Sequence, residues 1–166
     1  MKLKVKTILA LSSVLLAVVA ISFYLRKMQG GGDLVASYQG LVYKWGTGDT
    51  LQNAYDSRTG KYQYLDRNNK LVQTQFKLRG HHLIYLFSKI NEEKLFDLPD
   101  TLANTRPIDP NVPRYEFLFL NENGAKRFVF LTDYDKDAEL ASKAKKMQQL
   151  LQNMIDEANE RYGHQQ

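Results

Sequence analysis

Arg114 to Thr132 reads RYEFLFLNENGAKRFVFLT. Apolar residues alternate on both sides of an Asn-Gly pair, with Phe117 and Phe119 on one arm and Phe128 and Phe130 on the other. Alternation at period two marks a strand with one buried face, and Asn-Gly tolerates the left-handed backbone of a two-residue hairpin turn. A type I′ turn centred on Asn123-Gly124 sets Phe119 opposite Phe128 and Phe117 opposite Phe130, an aromatic face that belongs in the core. The reverse face mixes Glu116, Leu118, Arg127 and Val129, which predicts partial solvation or a thin cover. The fold is therefore built on an antiparallel sheet.

Downstream of the hairpin, the period changes. Leu140, Ala144, Met147, Leu151, Met154 and Ala158 recur at spacings of four and three, and Leu150 and Ile155 widen the stripe. This predicts a long helix from Asp137 to Arg161 docked on the sheet. A coiled-coil seam is the competing arrangement, weakened by its small residues Ala144 and Ala158. Upstream, Leu83, Ile84, Phe87 and Ile90 predict a shorter amphipathic helix over His81 to Glu93.

The earlier part reads as strands: Leu34 to Trp45, Leu51 to Tyr55, then a hairpin of Tyr62 to Leu65 and Leu71 to Leu78 around Asp66-Arg67-Asn68-Asn69-Lys70. The expected fold is α+β, with about four to six antiparallel strands in hairpin–helix–hairpin–helix order and both helices on one face. A duplicated hairpin-plus-helix unit is compatible with this order. Residues 34–162 make one domain, preceded by a Gly-rich linker at 28–33 and followed by a disordered tail at 163–166.

Thr7 to Leu25 is an uncharged, mostly apolar run of 19 residues. A helix of ~20 residues rising ~1.5 Å each crosses a hydrocarbon core of ~30 Å, so residues 1–27 are expected to be a signal anchor contacting the bilayer through 7–25. Lys2, Lys4 and Lys6 outweigh Arg26 and Lys27, which sets the N-terminus in the cytoplasm and the domain outside the cell membrane. The alternative is a cleaved signal peptide with its cut near Ala20, giving a secreted domain.

The chain carries a net charge of +5. All five surplus cations flank the apolar run, and the 28–166 remainder holds 18 basic and 18 acidic residues. A nucleic-acid partner is not expected from a neutral domain. Absence of cysteine removes disulfides, thiol catalysis and cysteine-ligated zinc.

Asp133, Asp135 and Asp137 open like a calcium loop, but Ala138 and Ala144 occupy its glycine and glutamate positions, so they read as caps for the following helix. His81-His82 has no second cluster to complete a metal site, and no cofactor is implied. No hydroxyl lies in a nucleophile elbow, and Gly46-Thr47-Gly48 lacks the lysine of a phosphate loop.

Two features point to binding. Tyr38, Tyr43, Trp45, Tyr55, Tyr62 and Tyr64 crowd the first strands, and such clusters either contact sugars, peptides or proteins or cover the sheet's own edge. All four prolines fall between Pro99 and Pro113, stiffening a loop that carries Arg106 and Asp109. The binding residues expected are Tyr43, Trp45, Tyr62, Tyr64, Arg106 and Asp109, in a domain that contacts a protein, peptide or envelope component. The alternatives are an envelope-acting enzyme using Asp97, Asp100 or Asp109, and an anchored element that self-assembles through its long helix.

Overall fold

The Arg114–Thr132 stretch folds as a hairpin, turning one residue earlier than Asn-Gly predicts. The computed structural model describes residues 36–104 and 109–165. Its elements run β1 (Tyr38–Thr47), β2 (Thr50–Asp56), β3 (Lys61–Leu65), β4 (Leu71–Gln75), α1 (Gly80–Glu92), a 3-10 turn (Leu95–Asp97), β5 (Thr101–Leu102), β6 (Pro113–Asn121), β7 (Gly124–Leu131), α2 (Ala138–Tyr162) and β8 (His164–Gln165).

In the β6–β7 hairpin, Asn121 pairs with Gly124, Phe119 with Lys126 and Phe117 with Phe128. The turn is Glu122-Asn123, and neither residue has a positive φ. Gly124, with φ of 133°, serves as the first residue of the returning strand rather than as the second residue of a type I′ turn. Every partner therefore slides by two residues. Because side chains alternate with period two, a slide of two leaves each on its original face. Phe117, Phe119, Phe128 and Phe130 all remain within 5% exposure, so the core forms although the register differs.

The expected antiparallel sheet is instead a mixed, eight-stranded one among the described residues, ordered β5-β7-β6-β1-β2-β3-β4-β8. The extra strands are its two edges, each two residues long: β5, parallel to β7, and β8, antiparallel to β4. His164-Gln165, read from sequence as tail, thus pair with Thr74 and Gln75. The β3–β4 turn follows its chemistry: Asp66 Oδ1 accepts from the backbone N–H of Asn68 and Lys70, and Asn69 takes φ of 57°.

Both helices cover one face. On α1, Leu86, Phe87 and Ile90 face the sheet, Phe87 meeting Tyr38 and Phe119 edge-on. Lys94, at φ of 52°, breaks the chain away after α1. Helix α2 begins where Asp137 Oδ1 accepts from the backbone N–H of Glu139 and Leu140 at 2.9 and 3.0 Å. Its buried side chains are Ala144, Met147, Leu151, Met154, Ile155 and Ala158, the predicted stripe, and they join the sheet's core. Fully burying a Leu or Ile of this kind is worth roughly 1.5–3 kcal/mol. The apolar seam that a coiled coil would use is thus taken up by the chain's own sheet.

Among the described residues, the sheet's other face carries no helix, as its largely antiparallel pairing permits. Glu116 accepts there from both Arg114 and Arg127. Burial works against the Glu116 charge, but the two guanidiniums prevail and hold its carboxyl below the ordinary range.

The apolar run at 7–25, its basic flanks and the linker lie outside the described residues. Among the described residues, no helix is long and apolar enough to cross a membrane.

Candidate binding cleft

Strand register brings the aromatic residues into one row. Trp45 pairs with Tyr115 on one side and with Asn53 on the other. Continuing the β2–β3 register by one residue sets Asn53 beside Tyr64, which pairs with Val72. The row from Tyr115 to Tyr64 crosses three inter-strand gaps, roughly 14 Å at ~4.8 Å each. It lies on the helix-bearing face, next to α2.

Asn53 fixes the middle of this row. Its amide nitrogen donates to the Trp45 carbonyl at 3.0 Å, and its Oδ1 accepts from the Leu65 backbone at 2.8 Å. The residue thus joins three strands. Around it the rings pack in series: Tyr43 on Trp45 at 4.5 Å and 19°, Trp45 near Tyr62 at 6.0 Å, and Tyr62 on Tyr64 at 5.0 Å and 29°.

The facing wall is one side of α2. Gln152 Oε1 accepts from the Tyr43 hydroxyl at 3.2 Å. Asp156 Oδ1 accepts from the Tyr62 hydroxyl at 3.3 Å and from Gln152 Nε2 at 2.9 Å. Asn159 Oδ1 accepts from the Thr74 hydroxyl at 2.7 Å. Floor and wall enclose an open cleft of about 330 Å³, lined by Trp45, Asn53, Tyr62, Tyr64 and Leu65 from the sheet and by Gln152, Asp156 and Asn159 from α2. Among the described residues, Asp156 Oδ2 and the Asn159 amide nitrogen have no protein partner, and both residues reach solvent.

Of the residues expected from sequence, Trp45 and Tyr64 are half-buried at the cleft. Tyr43 is 0% exposed and Tyr62 is 4% exposed, so neither presents a ring at the surface. They are core rings, because α2 crosses over them. Burial drives both phenols far above their ordinary ionisation, and for Tyr62 the Asp156 carboxylate adds to the effect. Asp109 lies elsewhere and exposed: its Oδ1 accepts from the Asn111 backbone and its carbonyl accepts from Val112 N–H. The Val112 carbonyl accepts in turn from Gly48 N–H at 3.0 Å, so the proline loop packs on the β1–β2 turn. A Cβ at Gly48 would meet the Pro110 Cα at 2.8 Å. Arg106 lies outside the described residues.

Asn53, Gln152, Asp156 and Asn159 escape the sequence reading. On α2 the three polar residues look like an ordinary solvated stripe beside the apolar one. Only their placement against Trp45 and Tyr64 distinguishes them.

The proposed acid–base carboxylates lie on different elements and in the solvent. Asp97 closes the 3-10 turn, Asp100 pairs with Lys126 at 3.3 Å, and Asp109 sits in the proline loop, all three exposed. Among the described residues no group of three metal-ligating side chains occurs. His82 is 4% exposed, its Nδ1 accepting from the Arg79 backbone at 3.1 Å. Burial first and the neighbouring His81 second lower its pKa. His81 itself is exposed.

Comparison with known protein families and with curated proteins finds no match for this chain.

Proposed function

We infer that this protein is a membrane-anchored, extracytoplasmic binding domain whose α2–sheet cleft contacts an envelope component. The observation that carries this reading is the cleft itself: half-buried Trp45 and Tyr64 beside a carboxylate oxygen and an amide nitrogen that take no partner among the described residues. Apolar ring surface together with a few convergent polar groups is the usual make-up of a ligand site. The apolar run at 7–25 and its basic flanks supply the anchor.

The direction of β1 supports the same reading. The chain enters the sheet at Tyr38, and Trp45 follows seven residues along the same strand, roughly 23 Å away at ~3.3 Å per residue. The cleft thus lies toward the opposite end of β1 from the residue at which the chain enters the sheet. An acid–base enzyme has less support, since its three candidate carboxylates lie on different elements. Self-assembly through α2 has less support too, since the helix's apolar stripe is spent on the core.

Two measurements test the proposal. The full-length chain should resist carbonate extraction from membranes and be digested by protease added from outside. Crosslinked membranes should yield adducts with the wild type that are lost in Trp45→Ala and Tyr64→Ala. Recovery of the chain in the soluble cytosolic fraction would overturn the anchor, and adducts unchanged in both variants would overturn the cleft.

A further inference from the structure

We propose that the cleft takes a neutral oligosaccharide, an assignment that rests on the binding reading above and narrows it to one ligand class. The lining residues decide the charge of the ligand. Among the described residues, no lysine, arginine or histidine borders the cleft and its one charged group is the Asp156 carboxylate, so phosphate- or carboxylate-rich ligands find no counter-charge there.

The rings decide against an organic cation. An ammonium cage holds its ligand between ring faces turned toward one another. Here Tyr43 and Trp45, and Tyr62 and Tyr64, lie stacked on one another at 4.5 and 5.0 Å, which leaves no gap between faces for a cation. A ligand can use only the outer surfaces of Trp45 and Tyr64. A pyranose suits that arrangement, because its polarised C–H bonds lie flat against the negative face of a single ring.

The wall supplies the complementary polar pattern. Asp156 Oδ1 is occupied by Tyr62 and Gln152, leaving Oδ2 as an acceptor. Asn159 Oδ1 is occupied by Thr74, leaving the amide nitrogen as a donor. Residues three apart on a helix sit with Cβ atoms about 5–6 Å apart, so acceptor and donor stand side by side. Adjacent hydroxyls on a sugar ring, one donating and one accepting, satisfy both. The floor runs from Trp45 across Asn53 to Tyr64, two inter-strand gaps or roughly 10 Å at ~4.8 Å each, which is longer than a single sugar ring.

Trp45 is the chain's only tryptophan, so its fluorescence reports this site alone. The test is a titration of the full chain, held in a detergent without a sugar headgroup, with cellohexaose, maltohexaose and chitohexaose. A proline-rich decapeptide and a lysine-rich decapeptide form the second arm. The expected result is a saturable change in Trp45 emission with at least one oligosaccharide and none with either peptide. Asp156→Asn, which keeps the Oδ1 acceptor and the fold, should weaken that binding at least tenfold, as should Tyr64→Ala. Gln73→Ala, on the opposite face, should leave it unchanged. A response to peptide and to no oligosaccharide would overturn the glycan assignment and leave the cleft as a binding site. Silence toward all five ligands and toward solubilised envelope material would overturn both.

Discussion

The Tyr62 hydroxyl donates to Asp156 Oδ1 at 3.3 Å, joining strand β3 to helix α2 across 94 residues of sequence. This contact belongs both to the core and to the cleft, because the same carboxylate turns its other oxygen to solvent. Tyr62→Phe removes the bond while keeping the ring. The variant should lose about 0.5–1.5 kcal/mol, the ordinary net worth of one hydrogen bond, read as a lower denaturation midpoint with unchanged slope.

Burial raises the ionisation of Tyr38, Tyr43, Tyr55 and Tyr62 above the ordinary phenol value of 10.0. In the unfolded chain these phenols lose their protons near pH 10, whereas in the folded chain they keep them. The unfolded state then binds fewer protons, so stability is fully present below about pH 10 and falls as pH rises beyond it. Thermal melts between pH 9 and 11.5 should show that decline. The 295 nm absorbance of phenolate should rise in step with unfolding for this group of tyrosines.

His82 acts at the other end of the scale. Its pKa is lowered from 6.5 by burial and by His81, so the unfolded chain takes up a proton before the folded chain does. The stability associated with neutral His82 is complete above pH 6.5 and is lost as pH falls below it toward the folded value. Asn in its place keeps an acceptor for the Arg79 backbone without titrating. Melting temperature should therefore depend less on pH between 7.5 and 5 in His82→Asn than in the wild type.

Asn53 ties Trp45 to Leu65 through two hydrogen bonds. Asn53→Ala should cost on the order of 1–3 kcal/mol, because it leaves a strand carbonyl and a strand N–H short of a partner. The lone tryptophan should also shift its emission to the red as the row loosens. A loss of stability with unchanged emission would place the damage away from the cleft.

Asp137 caps α2 by accepting from two backbone N–H groups. Asp137→Ala should destabilise by about 1 kcal/mol, while Asp135→Ala should change little. Equal effects from both variants would favour a shared carboxylate site over a cap.

The sequence made the long elements legible because their periods are strong. The stripe from Leu140 to Ala158 and the alternation around Phe117 and Phe128 each point to one face, and both became core. Register was less legible, since Asn123-Gly124 fits a type I′ turn as well as the Glu122-Asn123 turn that forms, and both keep the phenylalanines inward. Strands β5 and β8 were not legible, because two residues carry no pattern and pair only where the rest of the fold delivers them. Of the tyrosines and tryptophan that composition grouped together, Trp45 and Tyr64 border the cleft half-buried, whereas Tyr43 and Tyr62 are core rings. Which tyrosines stay accessible depends on the line along which α2 crosses the sheet, and no local pattern encodes that line. Gln152, Asp156 and Asn159 were hidden for the same reason.

Site-specific photocrosslinking in intact membranes tests whether ligand meets this protein at the proposed α2–sheet cleft. A photoreactive side chain in place of Tyr64 should capture envelope material, while the same group in place of Gln73, on the opposite face of the sheet, should capture none. Equal capture from both positions, or capture from position 73 alone, would rule out a ligand site at this cleft.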